Sequence, residues 1–202
     1  MQIKTPLTGA RICIRDYQKT DLAFVTGMWF DAENGRFMSD PPAEGVDAVY
    51  QKALDEMEDS ALGFYFVIEL RATGERIGTC CAFPQDEEGT FDETHRCYDI
   101  GYCIRKTHWR QGYGTEAVRL LMDWAAARGA REMTAEAAKE NTASCKMLEK
   151  LGFFVLREGR FRKYHTETVF PSRVYAKMLD GEERESTKKE RAAQEKHAEK
   201  AE

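Results

Sequence analysis

The stretch from Cys97 to Arg128 constrains this chain more than any other. Cys97-Tyr98-Asp99-Ile100-Gly101-Tyr102-Cys103-Ile104 is an apolar run of strand length, Arg105 to Gly114 is basic and contains glycine, and a long amphipathic segment runs on to about Arg128. A further strand-like run follows at Glu132 to Ala138. The order is mixed α/β around one central strand-helix-strand unit.

The junction between strand and helix has its own chemistry. Gln111-Gly112-Tyr113-Gly114-Thr115-Glu116-Ala117 opens the helix with two glycines. There the first backbone N–H groups have no intrahelical partner, and the helix dipole adds positive potential, so an anion fits. Neither G-x-x-x-x-G-K-[ST] nor G-x-G-x-x-G is present, because Ala117 stands where the last glycine of the dinucleotide pattern would be. A phosphate-bearing cofactor of another kind is expected, although the same glycines would also serve a helix start that needs only close packing.

The remaining elements surround this unit. Arg11 to Arg15 reads as a strand, followed by a helix through Leu22, Val25 and Trp29 that ends in turn residues Asp31 to Gly35. After the rigid loop Ser39-Asp40-Pro41-Pro42, the spacing of Val46, Val49, Ala53, Leu54 and Met57 predicts a second helix. Phe64 to Leu70 and Ile77 to Phe83 form a hairpin around Ala72-Thr73-Gly74-Glu75, and Gln85 to Thr94 is an acidic loop. Asn141 to Leu151 reads as a helix, with closing strands at Phe153 to Arg160 and Thr168 to Met178.

A chain of 202 residues, 42% hydrophobic, builds one domain, placed at residues 1–180. After Gly181 charged residues dominate, so 181–202 reads as a tail that is disordered or a solvated helix. The net charge of −5 is mild, which excludes a strongly basic nucleic-acid binder and gives no pull towards anionic membranes. With no long apolar span and no signal-peptide pattern at Met1 to Thr8, a soluble cytoplasmic protein is expected. The six cysteines show no paired C-x-x-C spacing and the four histidines are scattered, so buried free thiols and no metal site are expected.

Two separate motifs carry a family resemblance. His108-Trp109-Arg110-Gln111-Gly112-Tyr113-Gly114-Thr115-Glu116-Ala117 resembles the pyrophosphate loop of the GNAT superfamily of acetyl-CoA-dependent N-acetyltransferases. Asn141-Thr142-Ala143-Ser144, with Met147-Leu148-Glu149-Lys150-Leu151-Gly152-Phe153, resembles the second signature of the branch containing the ribosomal-protein-alanine N-acetyltransferases. The similarity extends over about Arg11 to Leu179, and the one departure is Trp109, where the superfamily commonly has Gln or Arg.

The resemblance implies a mostly antiparallel sheet of six to seven strands with about four helices, splayed between two central parallel strands. It implies acetyl-CoA as co-substrate and direct attack of a primary amine on the thioester. Backbone groups of Gln111, Gly112 and Gly114, with Thr115, would cradle the pyrophosphate, flanked by Trp109, Arg110 and Tyr113. Arg105 and Lys106 could add charge, and an amide near Cys103 or Ile104 would meet the oxyanion.

Asp99 and Glu136 are the candidate bases, Ser144 would hydrogen-bond the leaving sulfur, and Asn141 would hold the loop, a substrate group or the helix cap. Cys145 reads as a structural thiol. Substrate choice falls to the loops Asp31 to Asp47, Gln85 to His95 and Phe161 to Pro171, where Asp86-Glu87-Glu88 would suit a cation. Another branch has a tyrosine where this chain has Leu148, so that proton donor does not carry over. A protein that binds acyl-CoA as a sensor or scaffold without turnover is the alternative. The acceptor amine and the oligomeric state, monomer or homodimer, stay open.

Overall fold

β-Branched and aromatic residues in two-residue alternation build the first hairpins. A computed structural model describes residues 1–39, 46–86 and 90–180. Asp40, Pro41 and Pro42 of the rigid loop, Glu87 and Glu88 of the acidic loop and the tail 181–202 lie outside the described residues.

Strands β1 (Leu7–Thr8), β2 (Ile12–Asp16), β3 (Phe64–Leu70), β4 (Arg76–Pro84), β5 (Cys97–Ile104), β6 (Glu132–Ala138), β7 (Phe154–Arg162) and β8 (Val169–Met178) form one sheet in the order β1-β2-β3-β4-β5-β6-β8-β7. Every pairing is antiparallel except β5 with β6. Four helices accompany it: α1 (Leu22–Trp29), α2 (Ala48–Glu56), α3 (Tyr113–Ala127) and α4 (Thr142–Lys150). The expected mixed fold is met. The strand beyond the expected seven is β1, whose two residues are too few for any alternation to be legible.

One face of the sheet packs Phe64, Phe66, Ile68, Tyr98 and Ile100 against Val118 and Leu121 of α3 and Leu148 of α4. Trp124 meets Phe64 edge-on with ring centroids 5.0 Å apart. On the other face, Val67 and Tyr65 lie with Tyr17, Val25 and Met57 under α1 and the end of α2. The stripe expected on α2 is shifted: Tyr50, Leu54 and Met57 are buried, while Val49 is 72% exposed. Asp47 accepts from the Tyr50 N–H at 2.7 Å and sets the helix phase, and the Tyr50 ring packs 5.4 Å from Tyr164. The aromatic contact decides which side turns inward.

The parallel ladder is short. Cys97, Tyr98 and Asp99 pair with Glu132, Met133 and Thr134, after which β5 stays on β4 to Ile104 and β6 stays on β8 to Ala138. Past Asp99 the two central strands part, and their facing edges are left to whatever enters the gap.

Candidate active site

Three elements meet at the gap: the end of β5, the N-terminus of α3 and the N-terminus of α4. Gly112 is the N-cap of α3 at φ +83°, a left-handed conformation that favours glycine, and no side chain caps the helix there. Its carbonyl accepts from the Glu116 N–H at 3.1 Å, so the N–H groups of Tyr113, Gly114 and Thr115 form the open first turn. Arg110, at φ +60°, also takes the left-handed region that non-glycine residues seldom adopt. Orphan donors at an uncapped, glycine-led helix start are what a pyrophosphate needs, so the residues present fit the nucleotide part of acetyl-CoA.

The loop is clamped from a distant strand edge. Arg11 Nε donates to Glu116 Oε2 at 2.9 Å, its Nη1 donates to the Gln111 carbonyl at 2.8 Å, and its guanidinium lies 4.6 Å over the Tyr113 ring. The other end is held by Asn34, which is buried. Its Nδ2 donates to the Ile104 carbonyl at 3.1 Å and to Cys103 Sγ at 3.1 Å, and its Oδ1 accepts from the Lys106 N–H at 2.6 Å. Trp109 Nε1 donates to the same Ile104 carbonyl at 2.5 Å, so this indole, 40% exposed, anchors the loop to β5.

Strand parity sorts the backbone groups of β5. The Arg105 N–H donates to the Ile77 carbonyl and the Cys97 carbonyl accepts from Gln85, both towards the β4 side. By the two-residue period, Cys103 faces β4, while Ile100, Tyr102 and Ile104 present their N–H groups to the gap. Of the two positions considered for an oxyanion donor, Ile104 has the open amide.

A cavity of about 200 Å³ opens beside the gap, with Glu136, Asn141, Ser144 and Tyr102 at one end and Tyr17, Met57 and Tyr65 at the other. Ser144 Oγ and the Tyr102 hydroxyl are 2.6 Å apart. Burial pushes the Tyr102 phenol up, which keeps it protonated, so it can donate to Ser144 and leave the serine hydrogen free. Asn141 Oδ1 accepts from the Ser144 N–H at 3.3 Å and caps α4. Glu136 is exposed at the cavity wall and accepts from Ser172 Oγ.

Residues 11–154 match a family model for an acetyltransferase (GNAT) domain. The chain belongs to the GNAT acetyltransferase family. The N-acetyltransferase p20 of Bacillus licheniformis is 28% identical over 157 residues, covering 76% of this chain and 84% of that protein. A spermidine N-acetyltransferase from Vibrio cholerae, solved with CoA and spermine, superposes with a TM-score of 0.68 at 14% identity, over 85% of this chain and 97% of that one. The ribosomal-protein-S5-alanine acetyltransferase of Vibrio fischeri does so with a TM-score of 0.66 at 19% identity, over 89% of this chain and 100% of that one. A spermidine enzyme and a ribosomal-protein enzyme fit this GNAT fold equally well. The family is therefore established, and the ribosomal-protein-alanine branch is not singled out.

Within the GNAT frame, the expected residues fall into groups. Glu136, Asn141 and Ser144 line one cavity; Asp99 does not, lying behind Thr134, whose Oγ1 donates to Asp99 Oδ1 at 2.8 Å and accepts from Gln85 Nε2 at 3.0 Å. Lys106 is taken up by Asp31 at 2.8 Å and Glu33 at 3.5 Å. Cys145 is buried, its Sγ donating to the Ala138 carbonyl at 3.6 Å. Cys80, Cys97 and Cys103 are buried too, while Cys13 and Cys81 are partly exposed. Among the described residues no helix is long and apolar enough to cross a membrane.

Residue-by-residue reading had missed Asn34, Arg11, Tyr102 and Ser172. Their partners lie 36 or more residues away and become visible only through the sheet register.

Burial pushes the Asp99 carboxyl up to about 6, and the nearby Glu136 charge adds to this. A raised folded-state value means that the stabilisation from Asp99 is complete below its usual range near 3.8 and is lost as pH rises through about 6. Asp99→Asn removes that loss. Its stability relative to the parent should rise by about 2–3 kcal/mol between about pH 4 and about pH 7.5, read by urea unfolding at both. A difference independent of pH would place this carboxylate in water.

Proposed function

We propose that the chain is an N-acetyltransferase that moves the acetyl group of acetyl-CoA onto a primary amine by direct attack. One observation carries this reading: the parted β5–β6 edge, the uncapped glycine start of α3 and the Glu136, Asn141 and Ser144 cavity converge on one place. The Vibrio cholerae relative, solved with CoA, supports the co-substrate. Residues 1–180 make up the catalytic domain and 181–202 a charged appendage. Six cysteines, none of them in a disulfide, support work in the reducing cytoplasm.

Acetyl-CoA supplies the activated acyl carbon, and the chain supplies the rest. The first-turn amides of α3, aided by the Gln111 and Gly112 backbone, hold the pyrophosphate, and Arg11 keeps that loop in shape. The Ile104 N–H faces the thioester carbonyl and meets the negative charge that develops there.

The amine has to arrive neutral, which at neutral pH costs about 4.6 kcal/mol for a lysine-like amine. Glu136 takes that proton, directly or through one water, while Ser172 fixes its orientation. The amine nitrogen bonds to the carbonyl carbon, the carbon–sulfur bond breaks, and the surplus proton left on the nitrogen passes to the departing thiolate. Ser144, with Tyr102 donating to its oxygen, offers its hydrogen to the departing sulfur. Cys145 has no part, because its thiol is turned to the Ala138 carbonyl.

Calorimetric titration with acetyl-CoA, followed by free-thiol release over a panel of primary amines, tests this. Binding with amine-dependent thiol release is expected. Binding without turnover on any amine would make the chain an acyl-CoA sensor, and no binding would remove the reading altogether.

A further inference from the structure

The peptide between Cys103 and Ile104, the last within β5, is set from both sides. A Cβ added at Gly78 on β4 would lie 2.5 Å from the Cys103 carbonyl oxygen, so only glycine lets β4 come this close. In a trans peptide the carbonyl and the N–H point opposite ways, so the same contact sends the Ile104 N–H into the gap. The next carbonyl, that of Ile104, accepts from two donors, Asn34 Nδ2 at 3.1 Å and Trp109 Nε1 at 2.5 Å. Both of its lone pairs are therefore used by the chain itself, while the N–H of the same residue stays open.

Asn34 joins the two residues that carry this peptide. Its Nδ2 reaches Ile104 through the carbonyl and Cys103 through Sγ, at 3.1 Å each, so both amide hydrogens are spent on the strand end. Its Oδ1 accepts from the Lys106 N–H at 2.6 Å, and that donor fixes which end of the amide faces which partner. Burial pushes the Cys103 thiol up to about 12, so the sulfur is a neutral, weak acceptor and Asn34 does not activate it. Asn34 is itself braced. Asp31 Oδ1 accepts from its N–H at 2.9 Å, and Lys163 Nζ, reaching over from the β7–β8 turn, donates to the adjoining Gly35 carbonyl at 2.6 Å.

We infer that Asn34 is a positioning residue for acetyl transfer: by tying Cys103 Sγ to the Ile104 carbonyl it aims the Ile104 N–H at the thioester oxygen, acting through that amide rather than on acetyl-CoA itself. This rests on the acetyl-transfer reading above. Aim matters because an N–H···O bond weakens steeply as its angle falls below about 120°. A donor that swings off line stabilises the developing oxyanion poorly, even while the cofactor stays bound.

Isotope-edited infrared spectra of bound acetyl-CoA, labelled at the thioester carbonyl, read the aim of that N–H directly. The carbonyl stretch should fall in frequency on binding to the parent, and Asn34→Ala should lose about half or more of that fall. Affinity for CoA, which has no acetyl carbonyl, should be unchanged, a split that a merely loosened loop would not give. Asn34→Asp should lose the fall at neutral pH and regain it on acidification, because the protonated carboxyl again donates to the Ile104 carbonyl, whereas Asn34→Ala should regain nothing. If circular dichroism shows that Asn34→Ala does not fold, the recovery with pH in Asn34→Asp carries the test. A full fall in both variants, or a lost fall matched by an equal loss of CoA affinity, would overturn the role of Asn34 while leaving acetyl transfer standing. No fall on binding to the parent would overturn the Ile104 amide as the oxyanion donor and this inference with it.

Discussion

Gly112→Pro should raise the dissociation constant for acetyl-CoA by about a hundredfold. Gly112 holds φ +83° at the N-cap of α3, and proline is locked near −65°, so the loop cannot keep its path. Losing two charge-assisted bonds from the first-turn amides, at about 1.5 kcal/mol each, gives that factor. Because the variant could also disturb folding, Gly114→Val provides a second test. A Cβ at Gly114 would lie 3.3 Å from the flexible Met147 Sδ and 3.7 Å from Ile104, so the helix survives while the branched side chain crowds the amide cradle. A roughly tenfold weakening with an unchanged circular dichroism spectrum is expected there. Normal binding by both folded variants would mean that the anion sits elsewhere.

Glu136→Gln should lower kcat by about a hundredfold or more at neutral pH, within the usual range for loss of a positioned base. The glutamine carbonyl can still accept from Ser172, so the wall of the cavity stays in place and acetyl-CoA affinity should be unchanged. The deficit should shrink as pH rises towards the amine's own pKa, because the acceptor then arrives neutral without help. Measuring kcat from neutral to alkaline pH for both forms separates the outcomes. A parallel profile with little loss would show that water alone deprotonates the acceptor.

Much of the fold was legible because its signals are local. The glycine opening of α3, the Asn141 cap of α4 and the apolar periods of β3 to β6 each lie within a few residues, and each element stands where its period placed it. Gly129 at φ +85° and Gly152 at φ +82° end the two later helices by the same short-range rule. What escaped is relational. Nothing near Asn34 in the chain says that it will tie the end of β5 to the following loop, and nothing near Arg11 announces Glu116. The choice between the Cys103 and Ile104 amides depends on which way β5 faces β4, a property of register that neither residue carries alone. The two candidate carboxylates read alike until the strands are placed, when one lines the cavity and the other is held behind Thr134.

The three-residue seam between β5 and β6 has a mechanical consequence. Among the described strands it alone joins the leaf β1-β2-β3-β4-β5 to the leaf β6-β8-β7, so the sheet resembles a book whose spine is Cys97 to Asp99. A thin molecule lying between the leaves works as glue as well as reactant, since each contact it makes with Ile100, Tyr102 or Ile104 replaces a rung the protein never built. Amide exchange at those three positions should therefore report occupancy more sharply than any change in overall melting temperature. The free protein would be a half-zipped sheet that the proposed co-substrate closes.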